Sequence, residues 1–197
     1  NTQPAVGIDS KRGDEILYFV SDRPDGKGGL DIWYSIHLSK KNEWKAPKNC
    51  GNKINTAGDE VSPFYYNRNK TLYFSSDGWP GLGELDVFSS TGEMTKWTVA
   101  QNLGSPINSG FDDLYYTTNS LNDEGFFTSN RQSEPQKSTC CDDIFSFKYV
   151  DKIYIGVDGS IYLLPNEVVE TVLNGDEVES TVKKASDDSV QYIQGTT

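Results

Sequence analysis

The chain has 197 residues, 35% hydrophobic and 12% aromatic, enough apolar material for a packed core, which excludes global disorder. Its net charge of −11 at pH 7 argues against a nucleic-acid partner and against attachment to anionic lipid, both of which need a basic face. No apolar run approaches the roughly 18 residues that span a bilayer.

The expected elements are all strands, taken here in chain order. Lys11-Arg12-Gly13-Asp14 reads as a tight turn into a strand over 17–20, which opens the block Leu17-Tyr18-Phe19-Val20-Ser21-Asp22. A Gly/Pro/Asp loop over 22–29 leads to a second strand over 30–38, beginning Leu30-Asp31-Ile32-Trp33, and a third is centred on Trp44. Asn49, Gly51, Ile54-Asn55-Thr56 and Asp59-Glu60 follow, and the stretch 60–66 enters the next unit. The order then repeats. Asn67-Arg68-Asn69-Lys70 makes the turn, Leu72-Tyr73-Phe74-Ser75-Ser76-Asp77 the strand, 77–84 the loop, and Leu85-Asp86-Val87-Phe88 and Trp97 the next two strands. Asn102, Gly104, Ile107-Asn108-Ser109 and Asp112-Asp113 close the second block, and 113–118 leads into a third. That third copy keeps Phe126-Phe127-Thr128-Ser129-Asn130 and Asp143-Ile144-Phe145.

Self-similarity at a period of about fifty residues points to a propeller, a solenoid or an array. Four short strands per period is the pattern of a propeller blade, and the contiguous apolar Leu-Tyr-Phe suits a strand packed on both faces. Residues 1–150 are therefore expected to form about three antiparallel β-propeller blades, part of a larger propeller. The missing blades would come from the rest of the protein or from a second copy, because an open stack leaves apolar faces uncovered. Asn1 enters the middle of a repeat, so the chain is expected to begin inside a longer protein. Beyond 150 the pattern changes. Residues 153–164 alternate simply, 168–172 and 178–182 are β-branched, and Asn174-Gly175-Asp176 separates them. Residues 151–197 carry three basic and nine acidic residues, and they read as the start of a β-sandwich module. The expected fold class is all-β, and no amphipathic helix is apparent.

The runs LYFVSDRPDGKGGLDIW, NKTLYFSSDGWPGLGELDVF and NLGSPINS, with GFFTSNR and DDIFSF in the third copy, resemble the TolB-like, WD-type β-propeller repeats of OmpA-family envelope proteins of the Bacteroidetes. The resemblance covers about residues 1–150. It implies a periplasmic, outer-membrane-associated protein that binds other envelope proteins, and one branch of the family serves the type IX secretion apparatus. IYIGVDGSIYLL is similar to the opening of the carboxypeptidase-regulatory-like β-sandwich that often follows such a propeller. Peptidoglycan would be engaged only through an OmpA-like domain, which this chain does not contain. Cys140-Cys141 departs from the family, which usually has a Gly-rich loop there.

Candidate sites are weighed against the repeat. Asp22, Asp25 and Asp31 could supply oxygens to calcium, but Asp25 is matched by Pro80 in the second copy, so the ligand set does not recur. Asp22 and Asp77 are expected to accept backbone N–H bonds in their turns, and Asp31 and Asp86 to pin the start of the next strand. No metal or cofactor is expected. The pairs Asp59-Glu60, Asp112-Asp113 and Asp142-Asp143 could suggest glycosidase chemistry, but they recur with the repeat and read as turn or cap residues. Trp44 and Trp97 recur at one position and are expected in the core. His37, the only histidine, alternates with apolar neighbours and is expected to face solvent; no GxSxG elbow accompanies it. Arginine is scarce: Arg12, Arg23, Arg68 and Arg131. Cys50 reads as a small buried hydrophobe, and no CxxC spacing suggests zinc. Trp79 sits in a loop where the first copy has Pro24 or a neighbour, so no repeat demands it, and Trp79 and Pro80 are the candidate binding residues. No catalytic residue is assigned. The expected role is a non-catalytic scaffold; the alternative is a propeller hydrolase of glycans or peptides whose catalytic groups lie in absent blades.

Overall fold

A computed structural model describes residues 1–132 and 142–149 in full and, beyond them, the backbone of five strands. Cys140 and Cys141 lie outside the described residues. In each period the aromatic and β-branched runs pair with their sequence neighbours, since short turns favour antiparallel pairing. β1 (Thr2–Ile8), β2 (Glu15–Ser21) and β3 (Asp31–Leu38) form a meander, and two short strands, β4 (Glu43–Trp44) and β5 (Lys48–Asn49), pair in turn with the far edge of β3. The second period repeats the plan with β6 (Glu60–Tyr66), β7 (Thr71–Ser76) and β8 (Asp86–Glu93), and with β9 (Lys96–Trp97) and β10 (Gln101–Asn102) on β8. The third has β11 (Asp113–Thr118), β12 (Glu124–Ser129) and β13 (Asp143–Lys148). The protein is all-β with antiparallel sheets, and no helix occurs among the described residues.

The register is the same in all three sheets. Ser21 pairs with Asp31, Ser76 with Asp86 and Ser129 with Asp143. Side chains alternate between faces along a strand, so the contiguous aromatics of β2 and β7 serve two interfaces. Tyr18, Val20, Ile32 and Tyr34 on one face of the first sheet pack on Leu72, Phe74, Phe88 and Trp97 of the second. Tyr73 and Val87, on the second sheet's other face, meet Tyr116, Phe127, Phe145 and Phe147 of the third.

The first strands stand side by side, β1 against β6 and β6 against β11. Each carries a bulge at the same register, with Gln3 (φ 50°), Ser62 (φ 48°) and Tyr115 (φ 52°) in left-handed backbone. None is glycine, so each conformation costs about 1 kcal/mol. The bulges hold one another. Gln3 Oε1 accepts the Ser62 N–H at 2.7 Å, and Gln3 Nε2 donates to the Tyr115 hydroxyl at 2.9 Å.

The chain divides into two compact units, Asn1–Lys148 and Tyr149–Thr197. In the second, β14 (Tyr154–Ile155) pairs with β15 (Ile161–Tyr162), and β16 (Val168–Asn174), β17 (Glu177–Lys183) and β18 (Val190–Gly195) form an antiparallel sheet.

Candidate functional site

The repeated polar residues form a clasp that ties each sheet to the next. Asn55 mimics a strand on the open edge of β3: its Oδ1 accepts the Ile32 N–H at 2.9 Å, and its Nδ2 donates to the Ile32 carbonyl and to Asn49 Oδ1, both at 2.9 Å. Asn108 repeats this on β8, with Val87 N–H, the Val87 carbonyl and Asn102 Oδ1 all at 2.8 Å. The next residue reaches forward. Thr56 gives its N–H and hydroxyl to the Glu60 carboxylate at 2.8 and 2.6 Å, and Ser109 gives both to Asp113 Oδ2 at 2.7 and 3.0 Å. Asp59 and Asp112 reach back, accepting the Leu30 and Leu85 N–H groups at 2.6 and 3.1 Å. These acidic pairs thus serve in turns and caps.

The loop aspartates divide their duties differently from expectation. The turn after β2, β7 and β12 is closed by a serine hydroxyl, which accepts the N–H of Arg23, Gly78 or Arg131 at 3.3, 3.0 or 3.2 Å. Asp77 instead crosses to the clasp, accepting the Asp59 N–H at 2.6 Å, and Asn130 accepts the Asp112 N–H at 2.9 Å. Asp22, at the matching position, is exposed and has no bonded partner among the described residues. Asp31 and Asp86 do pin the next strand. Asp31 Oδ2 accepts the Lys27 N–H at 2.5 Å, and Asp86 Oδ2 accepts the Leu82 and Gly83 N–H groups at 2.5 and 3.1 Å. The loops wrap so tightly that a Cβ on Gly26 or Gly81 would overlap these oxygens. The other oxygen of each, Oδ1, is buried without a hydrogen bond. Burial raises the pKa of Asp31 and of Glu60; for Asp31 the Lys27 and Gly28 amides and the Asn49 side chain oppose it, although Asn49 Nδ2 lies outside bonding geometry.

The third component is a planar donor on the aromatic face of each sheet. Arg131 lies over the rings of Phe127 and Phe145, its guanidinium carbon 4.9 and 5.2 Å from their centroids. It donates to the carbonyls of Pro106 (2.8 Å) and Ile107 and to Asp113 Oδ1 (2.5 Å), gripping the clasp. The second sheet has Gly78 at that position, and Trp79 does the same job: its half-buried ring packs on the core and its Nε1 donates to the Ile54 carbonyl at 2.9 Å. Arg23 lies over Phe19 and Trp33, 5.0 Å from each centroid, but beyond Ser21 its guanidinium reaches only Asn1 Oδ1, at 2.8 Å.

Protein-family models and curated proteins give no match to this chain.

The remaining candidates fall on either side of this frame. Trp97 is 3% exposed, with its ring edge-on to Tyr18 and Tyr65 of the sheets it joins, as expected. Trp44 is not in the core. It is 53% exposed and stacks on His37 at 4.8 Å, and no sheet among the described residues packs over it as the first sheet packs over Trp97. His37 is half-buried rather than solvent-facing, placed between Glu15 (3.3 Å) and Asn42 (3.0 Å). Cys50 is buried, and burial raises its thiol pKa. In the 77–85 loop Trp79 is committed to the clasp, whereas Pro80 and Leu82 are exposed. Arg12 and Arg68 are exposed and do not converge with Arg23 or Arg131 on a common site. Among the described residues, no three His, Cys, Asp or Glu side chains form a metal-holding group. A shallow cleft of about 300 Å³ runs along the first strands, lined by Gln3, Val6, Phe64 and Tyr115.

Among the described residues of the first unit, no sheet packs on the open face of the first sheet or of the third. On the third sheet Phe126 and Ile144 are 58% and 75% exposed, at positions where Tyr18 and Ile32, or Tyr73 and Val87, are buried. On the first sheet the open face carries Arg23, Trp33 and Trp44. Trp33 Nε1 is buried there without an acceptor.

Proposed function

We propose that residues 1–150 are blades of a β-propeller that acts as a non-catalytic scaffold, binding proteins of a bacterial envelope at the periplasmic side of the outer membrane. The carrying observation is that the repeated polar residues of the clasp have the same structural duty at both junctions, from Asn55 and Asn108 to Glu60 and Asp113. Catalysis needs groups that break such symmetry. Here the acidic pairs are held by backbone and hydroxyl donors, and the one histidine is enclosed by Glu15, Asn42 and Trp44. The bare faces of the first and third sheets support a larger propeller, completed by the rest of the protein or by a second copy. The TolB-like repeat pattern supports the envelope setting, within which a role beside the type IX secretion apparatus is part of the proposal. The residues after 150 complete it as the start of a carboxypeptidase-regulatory-like β-sandwich.

The contact surface is assigned to the loop over 77–85. Trp79 fixes it from below, and Pro80 and Leu82 are presented to a partner. The test has two arms. The purified chain is incubated with peptidoglycan, glycan and peptide substrates, and no turnover is expected; turnover would sink the scaffold reading. Envelope proteins captured by the wild type are then compared with those captured by Leu82→Asp, in which the loop backbone is unchanged. Loss of specific partners is expected, and identical capture would remove this loop.

A further inference from the structure

The three sheets present the same aromatic face, and at the two internal junctions that face is covered by the same segment. At the second sheet, the turn at Ile54-Asn55-Thr56 lies against Trp79 and leads to Glu60; at the third, Ile107-Asn108-Ser109 lies against Arg131 and leads to Asp113. The matching groups on the first sheet are present and unmet. Arg23 is held in the pose of Arg131, stacked over two rings with its Nε on the turn serine. It lacks the two carbonyls and the carboxylate that Arg131 grips. Asp22 lacks the N–H that Asp77 and Asn130 receive. Trp44 is 53% exposed where Trp97 is 3%. Trp33, which stands where the other sheets have Phe88 and Phe145, has a buried N–H with no acceptor.

These four groups ask for one ligand. A cationic planar fork needs carbonyls and a carboxylate in one plane, an anionic side chain beside it needs a backbone N–H, the buried Trp33 N–H needs an acceptor, and the exposed Trp44 ring needs an apolar cover. An Ile-Asn-Ser/Thr turn ending in Asp or Glu provides these groups: the turn at Ile107 gives two carbonyls and the Asp113 carboxylate to Arg131, and the turn at Ile54 leads to the Asp59 N–H that Asp77 accepts. We infer that the Arg23–Trp33–Trp44 face of the first sheet is a docking site for such a turn, contributed by a further repeat of the same type. A second copy of this chain is the poorer fit: after β13 its sequence runs through 149–167 with no Ile-Asn-Ser/Thr triplet to offer. The inference rests on reading the sheets as blades of an extendable stack, and it names the segment that the bare face receives.

The experiment supplies that segment to the full chain. Thr2 has the register of Val61 and Leu114, so Asn1 stands where Glu60 and Asp113 stand. A copy of residues 101–113 fused ahead of Thr2, in place of Asn1, therefore brings the turn to the face. The thermal unfolding midpoint, followed by tryptophan fluorescence, is expected to rise by at least about 3 °C. Most of that rise should vanish with Arg23→Ala in the fused chain, and a scrambled extension of the same composition should give none. No rise, or an equal rise with Arg23→Ala, overturns the inference. So does a chain that sediments as a dimer and stays dimeric with the extension, since a second copy would then own the face. Substrate turnover or partner capture does not depend on Arg23, so failure of the scaffold reading is seen separately.

Discussion

Removing the amide of Asn55 should cost far more than its small size suggests. Asn55 is 2% exposed, and in Asn55→Ala the Ile32 N–H loses its only acceptor in a dry site. The other two bonds are cushioned: the Ile32 carbonyl keeps the Cys50 N–H at 3.1 Å, and Asn49 Oδ1 keeps the Gly51 N–H at 2.8 Å. One orphaned buried donor at about 1–3 kcal/mol plus two weakened bonds gives a loss of about 2–4 kcal/mol. Asn108→Ala should match it, because Val87 has the same environment and its carbonyl keeps the Leu103 N–H. The two sites share no bonded partner, so the double variant should lose about the sum. Urea unfolding followed by fluorescence is the assay. All four tryptophans lie at 33, 44, 79 and 97, so the signal reports the first unit alone. The exposed turn residue Asn69, replaced by alanine, should change stability by less than about 0.5 kcal/mol. An Asn55→Ala loss as small as that of Asn69→Ala would refute the clasp as a source of stability.

Three further outcomes follow from the same geometry. Trp97→Ala should lose about 3–5 kcal/mol and Trp44→Ala less than about 1, a contrast read from two urea midpoints; equal losses would mean that the exposure difference is immaterial. Burial raises the Glu60 pKa above 4.5, so the stabilising contribution of its protonated form is full below about 4.5 and fades as pH rises through the folded value. Stability from this group should therefore decline as pH rises above about 4.5, and Glu60→Gln should flatten the profile; an unchanged slope would assign it elsewhere. Cys50, buried with a raised thiol pKa, should resist alkylation in the native state and react on unfolding, as peptide mass mapping can check.

Much of this was legible in the sequence because it repeats. The strands follow from runs such as Leu72-Tyr73-Phe74, and the acidic pairs were readable as structural because they recurred. What stayed hidden was partnership across sheets. Asp77 looked like a local turn residue, yet it bonds to Asp59 of the clasp, since a sequence shows that a carboxylate sits in a turn but not which backbone passes beside it. Trp79 stood out as unmatched because it follows the turn serine by three residues where Arg131 follows by two; the role is conserved by a different side chain at a shifted position. Trp44 was grouped with Trp97 on identity, but burial depends on whether a neighbour is there to cover the ring. The bulges at Gln3, Ser62 and Tyr115 carry no glycine, so nothing in the residue types announced their left-handed backbone.

The clasp also sets where this chain can be cut and copied. Each Ile-Asn turn hangs on the strand behind it and grips the sheet ahead, like a brick laid across a joint. A duplication with only one end between β5 and the Ile54 turn, or between β10 and the Ile107 turn, separates a turn from its anchor. One that runs from Ile54 to Pro106 has both ends at matching places and carries the turn, its grip and the next anchor together, so a tandem insertion reproduces the bonds of the clasp. Growth or shortening of such a stack by whole periods is then nearly neutral, whereas a slip of a few residues at a joint disturbs two sheets at once.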